Sequence, residues 1–223
     1  DEQTLRSNQI FKHKLGESPE NDQLVYYARD ETFNTYVYKT KSKEYIIIGS
    51  SSTMSDEYQI LDANKPDADF QIFTERRRGL EYDLAHYKDH FYILTNKDGA
   101  QNFKLMKTSV ESTSEENWEE VIPHRKEVLL EGIDIFKAFL VTSERYNGLT
   151  RIRVQNWDKS EDYYLPFTSE TYTARPSTNV DFDTDKLRYS YNSLTTPSSV
   201  IEFDMVEKTE TVLKEQEVQD PNF

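Results

Sequence analysis

The sequence predicts an all-β fold, a partial β-propeller of about four and a half four-stranded antiparallel blades. Three observations predict it. Apolar and polar residues alternate in many short runs, turn residues separate these runs, and one layout occurs four times. Alternation with period two, rich in aromatic and β-branched residues, is typical of half-buried strands. No helical stripe extends over a dozen residues, so an all-β fold follows.

The repeated layout is an apolar run, a polar turn and a second alternating run. The four copies begin at Tyr45, Phe91, Phe139 and Leu187. The first strongly apolar residues of the second runs are Tyr58, Phe103, Ile152 and Ile201, which are 45, 49 and 49 residues apart. A short strand before and after each copy brings the total to four strands. Four strands in fewer than 50 residues is the arrangement of a propeller blade.

The elements follow in order along the chain. The predicted first strands are Tyr36–Tyr38, Leu80–Ala85, Leu130–Phe136 and Val180–Phe182, and the last strands are Phe70–Phe73, Trp118–Ile122, Tyr163–Phe167 and Thr211–Val218. The blades therefore cover about 34–76, 80–124, 128–167 and 171–218, and a half blade covers 9–28. Because a complete propeller closes its ring, this count predicts an open arc over 1–223. A Greek-key sandwich is the structural alternative, and the regular period favours the propeller.

Composition excludes several classes of protein. The chain has 223 residues, with 27 Lys+Arg, 41 Asp+Glu and a formal net charge of −14. Nucleic acids and anionic membranes need a basic protein surface, so neither is an expected partner. The aromatic fraction of 13% is too high for a disordered chain, and no Cys is present. No apolar run is long enough for a membrane span, so we expect a soluble protein, cytoplasmic or periplasmic.

Motifs for catalysis are missing from the sequence. No G-x-S-x-G occurs, and the nearest string, from Gly49 to Ser52, lacks the second glycine. His86 and His90 have the spacing of a helical zinc site, but they flank a predicted hairpin turn at Lys88. We therefore predict no catalytic residue, no metal site and no cofactor in this chain.

Three acidic residues fall in predicted first strands: Asp83, Asp134 and Asp181. The innermost strands of a propeller line its central channel, so these carboxylates would make the channel electronegative and attract cationic ligands. The alternative is that each carboxylate accepts hydrogen bonds from nearby turn amides. The basic run Arg76-Arg77-Arg78 is interpreted as an exposed blade edge.

Aromatic residues recur at the predicted strand positions: Tyr45, Tyr58, Phe91, Phe103, Phe139, Tyr189 and Phe203. We expect them to form the core between blades, and an aromatic cage for a ligand is the alternative.

Long strings of the sequence resemble one known family. They are the segments Leu24–Asn64, His90–Thr108, Asn117–Arg125, Ile133–Val154 and Leu187–Met205. These are similar to the β-propeller of the prolyl oligopeptidase family of serine peptidases, in its oligopeptidase B (protease II) branch. The resemblance extends from about Gln9 to Val218 and rests on scaffold motifs.

The resemblance implies a seven-bladed propeller that covers an α/β-hydrolase domain with a Ser-Asp-His triad. It also implies cleavage of short peptides after Lys or Arg, with the propeller excluding large substrates. None of the family's triad residues maps onto this chain, and the chain opens without Met. We therefore expect a propeller fragment, inactive by itself, whose partner is the hydrolase domain of the same polypeptide. Its acidic channel would steer basic peptides.

Two other functions stay open from the sequence. A free-standing propeller would be a binding module for a protein or small ligand. A propeller glycosidase would use two channel carboxylates. In each case, exposed terminal blades with apolar faces predict self-association into a dimer.

Overall fold

The computed structural model describes residues 5–218, which form eighteen strands in five sheets. Sheet 1 contains β1 (Gln9–Lys12) and β2 (Gln23–Tyr27). Sheet 2 contains β3 (Asn34–Lys39), β4 (Tyr45–Ser51), β5 (Asp56–Asp62) and β6 (Gln71–Ile72). Sheet 3 contains β7 (Tyr82–Tyr87), β8 (His90–Thr95), β9 (Lys104–Ser109) and β10 (Glu119–Ile122).

The remaining two sheets also contain four strands each. Sheet 4 contains β11 (Val128–Ile135), β12 (Phe139–Tyr146), β13 (Leu149–Asn156) and β14 (Asp162–Tyr164). Sheet 5 contains β15 (Tyr172–Pro176), β16 (Lys186–Ser193), β17 (Ser199–Asp204) and β18 (Thr209–Glu215). In every sheet the strands are neighbours in chain order, as in a propeller blade. The only helical elements within 5–218 are three short 3₁₀ turns, and no helix there is long and apolar enough to span a membrane.

The hairpins explain how the strands stay in register. Between β12 and β13, Asn147 and Gly148 have φ values of 49° and 79°. A two-residue turn with positive φ at both positions matches the twist of the strands that it connects. The β12–β13 register continues from Tyr146 opposite Leu149 to Phe139 opposite Asn156. Alternation along β13 therefore places Ile152 and Val154 in the core.

The chain divides into two compact units: Asp1–Lys97 with Met106–Glu119, and Asp98–Leu105 with Glu120–Phe223. The division passes through sheet 3. In the first unit, one face of sheet 2 packs on the first strands of sheet 3 through aromatic rings. Tyr58 meets Tyr82 at 5.0 Å between ring centroids, and Phe73 meets Phe91 at 5.2 Å in an edge-to-face contact. Such ring pairs contribute beyond the apolar area they bury.

The second unit has its own core between sheets 4 and 5. Val141 and Val154 of sheet 4 and Leu187 and Phe203 of sheet 5 are all buried within it. The Tyr163 hydroxyl, half-buried at its edge, donates to the backbone carbonyl of Met205 at 2.6 Å. Both cores therefore form between sheets.

Most of the predicted core aromatics are buried as expected: Tyr58, Phe91, Phe139, Tyr189 and Phe203. Tyr45 is half-buried against the first core. The prediction for Phe103 is wrong. This residue lies before β9, is half-buried, and has a φ of 58° in a turn closed by its N–H and the carbonyl of Ala100.

The first strand predicted for the last blade is also wrong. The first strand of sheet 5 is Tyr172–Pro176, paired with β16, and 180–182 belongs to the β15–β16 loop. Alternation alone does not make a strand, because a strand needs a backbone partner along its length. The adjacent strand, β16, is already paired with β15. In addition, the Asn179 side chain accepts the Arg188 N–H of β16 at 2.7 Å.

The first and last sheets both expose apolar side chains. Sheet 1 exposes Phe11, Leu24 and Tyr27, which are 46–52% exposed. Sheet 5 exposes Val212 and Leu213 of β18, which are 57% and 46% exposed. In the same sheet, two cross-strand ion pairs lie side by side: Lys186 with Asp204 at 2.5 Å and Arg188 with Glu202 at 3.2 Å.

His86 is a buried titratable group of the first unit. Its ring is 2% exposed, Nδ1 lies 2.8 Å from Ser42 Oγ, and Nε2 is buried with no hydrogen-bond partner. Loss of hydration lowers the pKa of His86, and the Glu44 and Asp89 carboxylates oppose this effect. The unfolded chain therefore binds a proton more readily than the folded chain, so stability falls as the pH drops below the unfolded value of about 6.5.

Replacing this imidazole should weaken the acid sensitivity of folding. For His86→Phe, we expect the free energy of unfolding, measured with urea between about pH 5 and pH 8, to vary less with pH than in the unmodified chain. Uptake of one proton changes the free energy of unfolding by at most about 1.4 kcal/mol per pH unit, so the substitution can remove no more than this slope. Parallel curves for His86→Phe and the unmodified chain would contradict this assignment.

Candidate functional site

Asp83, one of the predicted first-strand acids, lies beside an aromatic cluster. It is exposed on β7, between the core residues Tyr82 and Leu84. Its Oδ1 accepts the Leu84 N–H at 2.8 Å and the Tyr58 hydroxyl at 3.4 Å. Although water reaches the side chain, the surrounding protein removes part of its hydration, which raises the pKa of Asp83; the nearby Asp56 charge adds to this rise.

Three tyrosines of sheet 2 extend this site. The Tyr36 and Tyr58 hydroxyls lie 3.2 Å apart, and the Tyr36 ring stacks on Tyr38 with centroids 6.1 Å apart. The Tyr38 hydroxyl donates to the Leu84 carbonyl at 3.3 Å. Burial raises the pKa of Tyr38 and Tyr58 far above the usual range, so both remain neutral donors. We call Tyr36, Tyr38, Tyr58 and Asp83 the tyrosine–carboxylate cluster.

Gly49 makes the geometry of this cluster possible. In the sheet 2 register, Tyr36, Gly49 and Tyr58 lie in one row across β3, β4 and β5. A β-carbon on Gly49 would lie 2.5 Å from Tyr36 Cζ, which is far inside van der Waals contact. Only glycine therefore lets the Tyr36 ring cross the middle strand and reach Tyr58.

The other two predicted acids lie in the second unit. Asp134 is half-buried on β11, opposite Val141, beyond a register shift between Leu130 and Gly132. Asp181 is exposed in the β15–β16 loop, so its predicted first-strand position is wrong. Lys137 connects this loop to the end of β11, because its N–H donates to the Phe182 carbonyl at 2.9 Å.

The histidine and arginine motifs have structural partners. His86 and His90 flank the β7–β8 turn, and residues 5–218 contain no group of three acidic or histidine side chains placed to hold a metal. The Ser42–His86 contact is not a nucleophile–base pair, because no acid orients the buried imidazole.

Arg76, predicted at an exposed edge, is half-buried. It donates to Glu57 at 3.1 Å and lies 3.8 Å from the centroid of the Phe33 ring.

One buried charge was not predicted from the sequence. The Glu144 side chain, on β12, is only 1% exposed. Its Oε1 accepts from Arg125 at 2.6 Å and its Oε2 from the Tyr164 hydroxyl at 2.8 Å, while Arg153 Nη1 lies 3.9 Å away. The alternating pair Arg151 and Arg153 was the available signal, because arginines on one strand face need counter-charges. This cluster is fully paired, as a structural ion network is.

Comparison with known proteins assigns the family. The family described as prolyl oligopeptidase, N-terminal beta-propeller domain, matches residues 1–216. The chain belongs to this family. The predicted fold class, an all-β partial propeller of antiparallel blades, is confirmed.

Two of the relatives are peptidases. The chain is 36% identical over 218 residues to dipeptidyl aminopeptidase BI of Pseudoxanthomonas mexicana, covering 98% of this chain and 30% of the relative. It is 31% identical over 194 residues to protease 2 of Moraxella lacunata, covering 87% of this chain and 27% of the relative. The chain therefore spans less than a third of the length of these two relatives.

Solved structures of oligopeptidase B have the same fold. The enzyme from Leishmania major superposes with a TM-score of 0.89 at 28% identity, over 96% of this chain and 32% of that one. The enzyme from Trypanosoma brucei, in a closed form with covalently bound antipain, gives a TM-score of 0.90 at 27% identity, with the same coverage.

Removing the Glu144 charge should destabilise the second unit. Because Glu144→Gln leaves Arg125 without its buried counter-charge, while Arg153 keeps its pair with Asp162, we expect a loss of about 3 kcal/mol in the free energy of unfolding. Urea denaturation measures it. The control on the same sheet is Glu131→Gln, which breaks the more exposed 2.7 Å pair with Arg145 and should cost less than about 1 kcal/mol. Equal losses for the two variants would rule out a special role for Glu144.

Proposed function

We propose that this chain is the propeller segment of a serine oligopeptidase and acts together with a hydrolase domain of the same polypeptide. The observation that carries the proposal is the match of residues 1–216 to the peptidase propeller family. Protease 2 and oligopeptidase B among the similar proteins support it. The match covers about a third of those chains, which leaves room in each for a catalytic domain.

In this proposal the propeller gates the active site and steers basic peptides towards it. A formal net charge of −14 attracts cationic substrates over long distances, and this attraction raises their rate of encounter. Asp83, Asp134 and Asp181 are the proposed steering residues. Gating predicts that the peptidase cleaves short basic peptides and leaves folded proteins intact.

The steering proposal is tested in the peptidase that carries this chain. For Asp83→Asn, Asp134→Asn and Asp181→Asn combined, we expect kcat/KM for a peptide containing Lys or Arg to fall about two- to tenfold at low salt, with kcat unchanged. High salt should reduce the difference, because it screens long-range attraction.

A matched control removes three exposed acids elsewhere: Glu75→Gln, Glu127→Gln and Glu207→Gln. This triple variant has the same net charge as the first one, so only position distinguishes them. Equal effects from both triple variants, or an equal loss with an uncharged peptide, would rule out steering by the three aspartates.

A second candidate activity is the release of dipeptides from free amino termini. The observation that favours it is the 36% identity to a dipeptidyl aminopeptidase. The same assay separates the two activities when each peptide is supplied with a free and with an acetylated amino terminus. A dipeptidyl aminopeptidase cleaves only the peptide with the free amino terminus, whereas an oligopeptidase cleaves both forms.

We also infer that self-association, proposed for the terminal blades, uses sheet 1. Sheet 1 exposes the apolar residues Phe11, Leu24 and Tyr27, two of which are aromatic, whereas sheet 5 exposes Val212 and Leu213 and also carries two ion pairs. We expect sedimentation velocity to show a concentration-dependent dimer that Phe11→Ser with Leu24→Ser abolishes, because these changes remove apolar surface. Arg188→Ser, on sheet 5, is the control. A monomer at all concentrations would contradict this inference.

A further inference from the structure

We propose that the tyrosine–carboxylate cluster is a binding site for a cationic group of a peptide, either a basic side chain or a free amino terminus. The site contacts the cation directly, whereas steering acts at a distance. That the cation belongs to a peptide rests on the proposed function, and the site itself rests on the geometry of Asp83 and the tyrosines.

The first step of the argument concerns the carboxylate. Asp83 Oδ1 is held by the Leu84 N–H and the Tyr58 hydroxyl, at 2.8 and 3.4 Å. Among residues 5–218, no Lys, Arg or His forms an ion pair with Asp83, although acids such as Glu57 and Asp204 are paired. A fixed, exposed carboxylate without a counter-charge is well placed to accept a charged donor.

The second step concerns the aromatic wall. Tyr36 is 40% exposed and keeps its ring orientation through the stack on Tyr38 and the contact with Tyr58. A partly exposed aromatic ring attracts cations through its quadrupole, and Arg and Lys both bind in this way. The Tyr58 hydroxyl contacts both the Tyr36 hydroxyl and Asp83 Oδ1, at 3.2 and 3.4 Å, so these three side chains are held in one place before a cation binds.

The third step concerns hydration. The protein around Asp83 removes part of the water from its carboxylate, which leaves the ionised form poorly stabilised. A bound cation restores this stabilisation. The same surroundings strengthen the attraction, because charges interact more strongly where water is partly excluded.

The experiment measures binding of small cations to the 223-residue chain by NMR titration of its backbone amides. The probes are acetyl-arginine amide, which carries only the side-chain cation, and glycylglycinamide, which carries only the terminal ammonium. Acetyl-citrulline amide is the neutral analogue of the first probe. We expect at least one cationic probe to shift β3 and β7 amides saturably, with affinity at least tenfold above that of the citrulline probe. The preferred probe identifies the cation.

Variants then locate the site. Asp83→Asn keeps an oxygen acceptor for Leu84 and Tyr58, and should weaken binding about tenfold. Tyr36→Leu removes the ring and should weaken it about threefold, whereas Tyr36→Phe keeps the ring and should bind like the unmodified chain. Asp89→Asn, an exposed acid on the next turn, is the matched control and should change nothing.

Equal binding of the arginine and citrulline probes, measured on the unmodified chain, would overturn the proposal without any variant. So would equal affinities for Asp83→Asn and Asp89→Asn, both shown to be folded by their amide spectra.

Failure of this binding site is distinct from failure of the proposed function. If kcat/KM of the three-aspartate peptidase variant loses its salt dependence but Asp83→Asn leaves probe affinity unchanged, the steering proposal is supported and the proposed binding site is wrong. If the probes need Asp83 but the peptidase treats basic and neutral peptides alike, the site stands.

Discussion

Packing of one sheet face against another is the interaction on which the rest of this structure depends. A four-stranded sheet of this size cannot bury an apolar face by itself, and in both compact units the core lies between sheets. Burial of a large apolar side chain contributes roughly 1.5–3 kcal/mol, so cores rich in Phe, Tyr, Ile and Leu hold neighbouring sheets together. The same dependence between neighbours is general in repeat architectures.

This packing also positions the polar groups that are available for function. Because side chains alternate along β7, Tyr82 and Leu84 enter the core and Asp83 between them faces away from it. The two buried neighbours make the carboxylate rigid. Gly49 has a comparable role in sheet 2, where its missing side chain lets Tyr36 lie across the strand. A binding site that is built on strands in this way is more rigid than one built on loops.

Some features were predictable because they depend on local periodicity. Period-two alternation and turn residues predict the strands and hairpins, and five of the seven core aromatics are buried as expected. Two failures have different causes. The string around Asp181 looks like a strand, but a strand also needs a backbone partner, and a single sequence does not show which segment supplies it. Phe103 lies one residue before β9, in a turn with a φ of 58°, and alternation does not show where a turn ends. Glu144 was missed because its counter-charges come from separate parts of the chain, at Arg125 and Arg153.

The sequence by itself therefore determined the all-β class, the four-strand repeat and the acidic character of the chain, since these follow from side-chain order and composition. It also placed Asp83 on a first strand. Only the tertiary structure decided that Asp83 contacts a tyrosine of another sheet, that Asp181 lies in a loop, and that sheet 5 carries cross-strand ion pairs. The physical reason is that hydrogen bonds and charge pairs depend on distances between residues remote in sequence, and those distances are set by sheet packing.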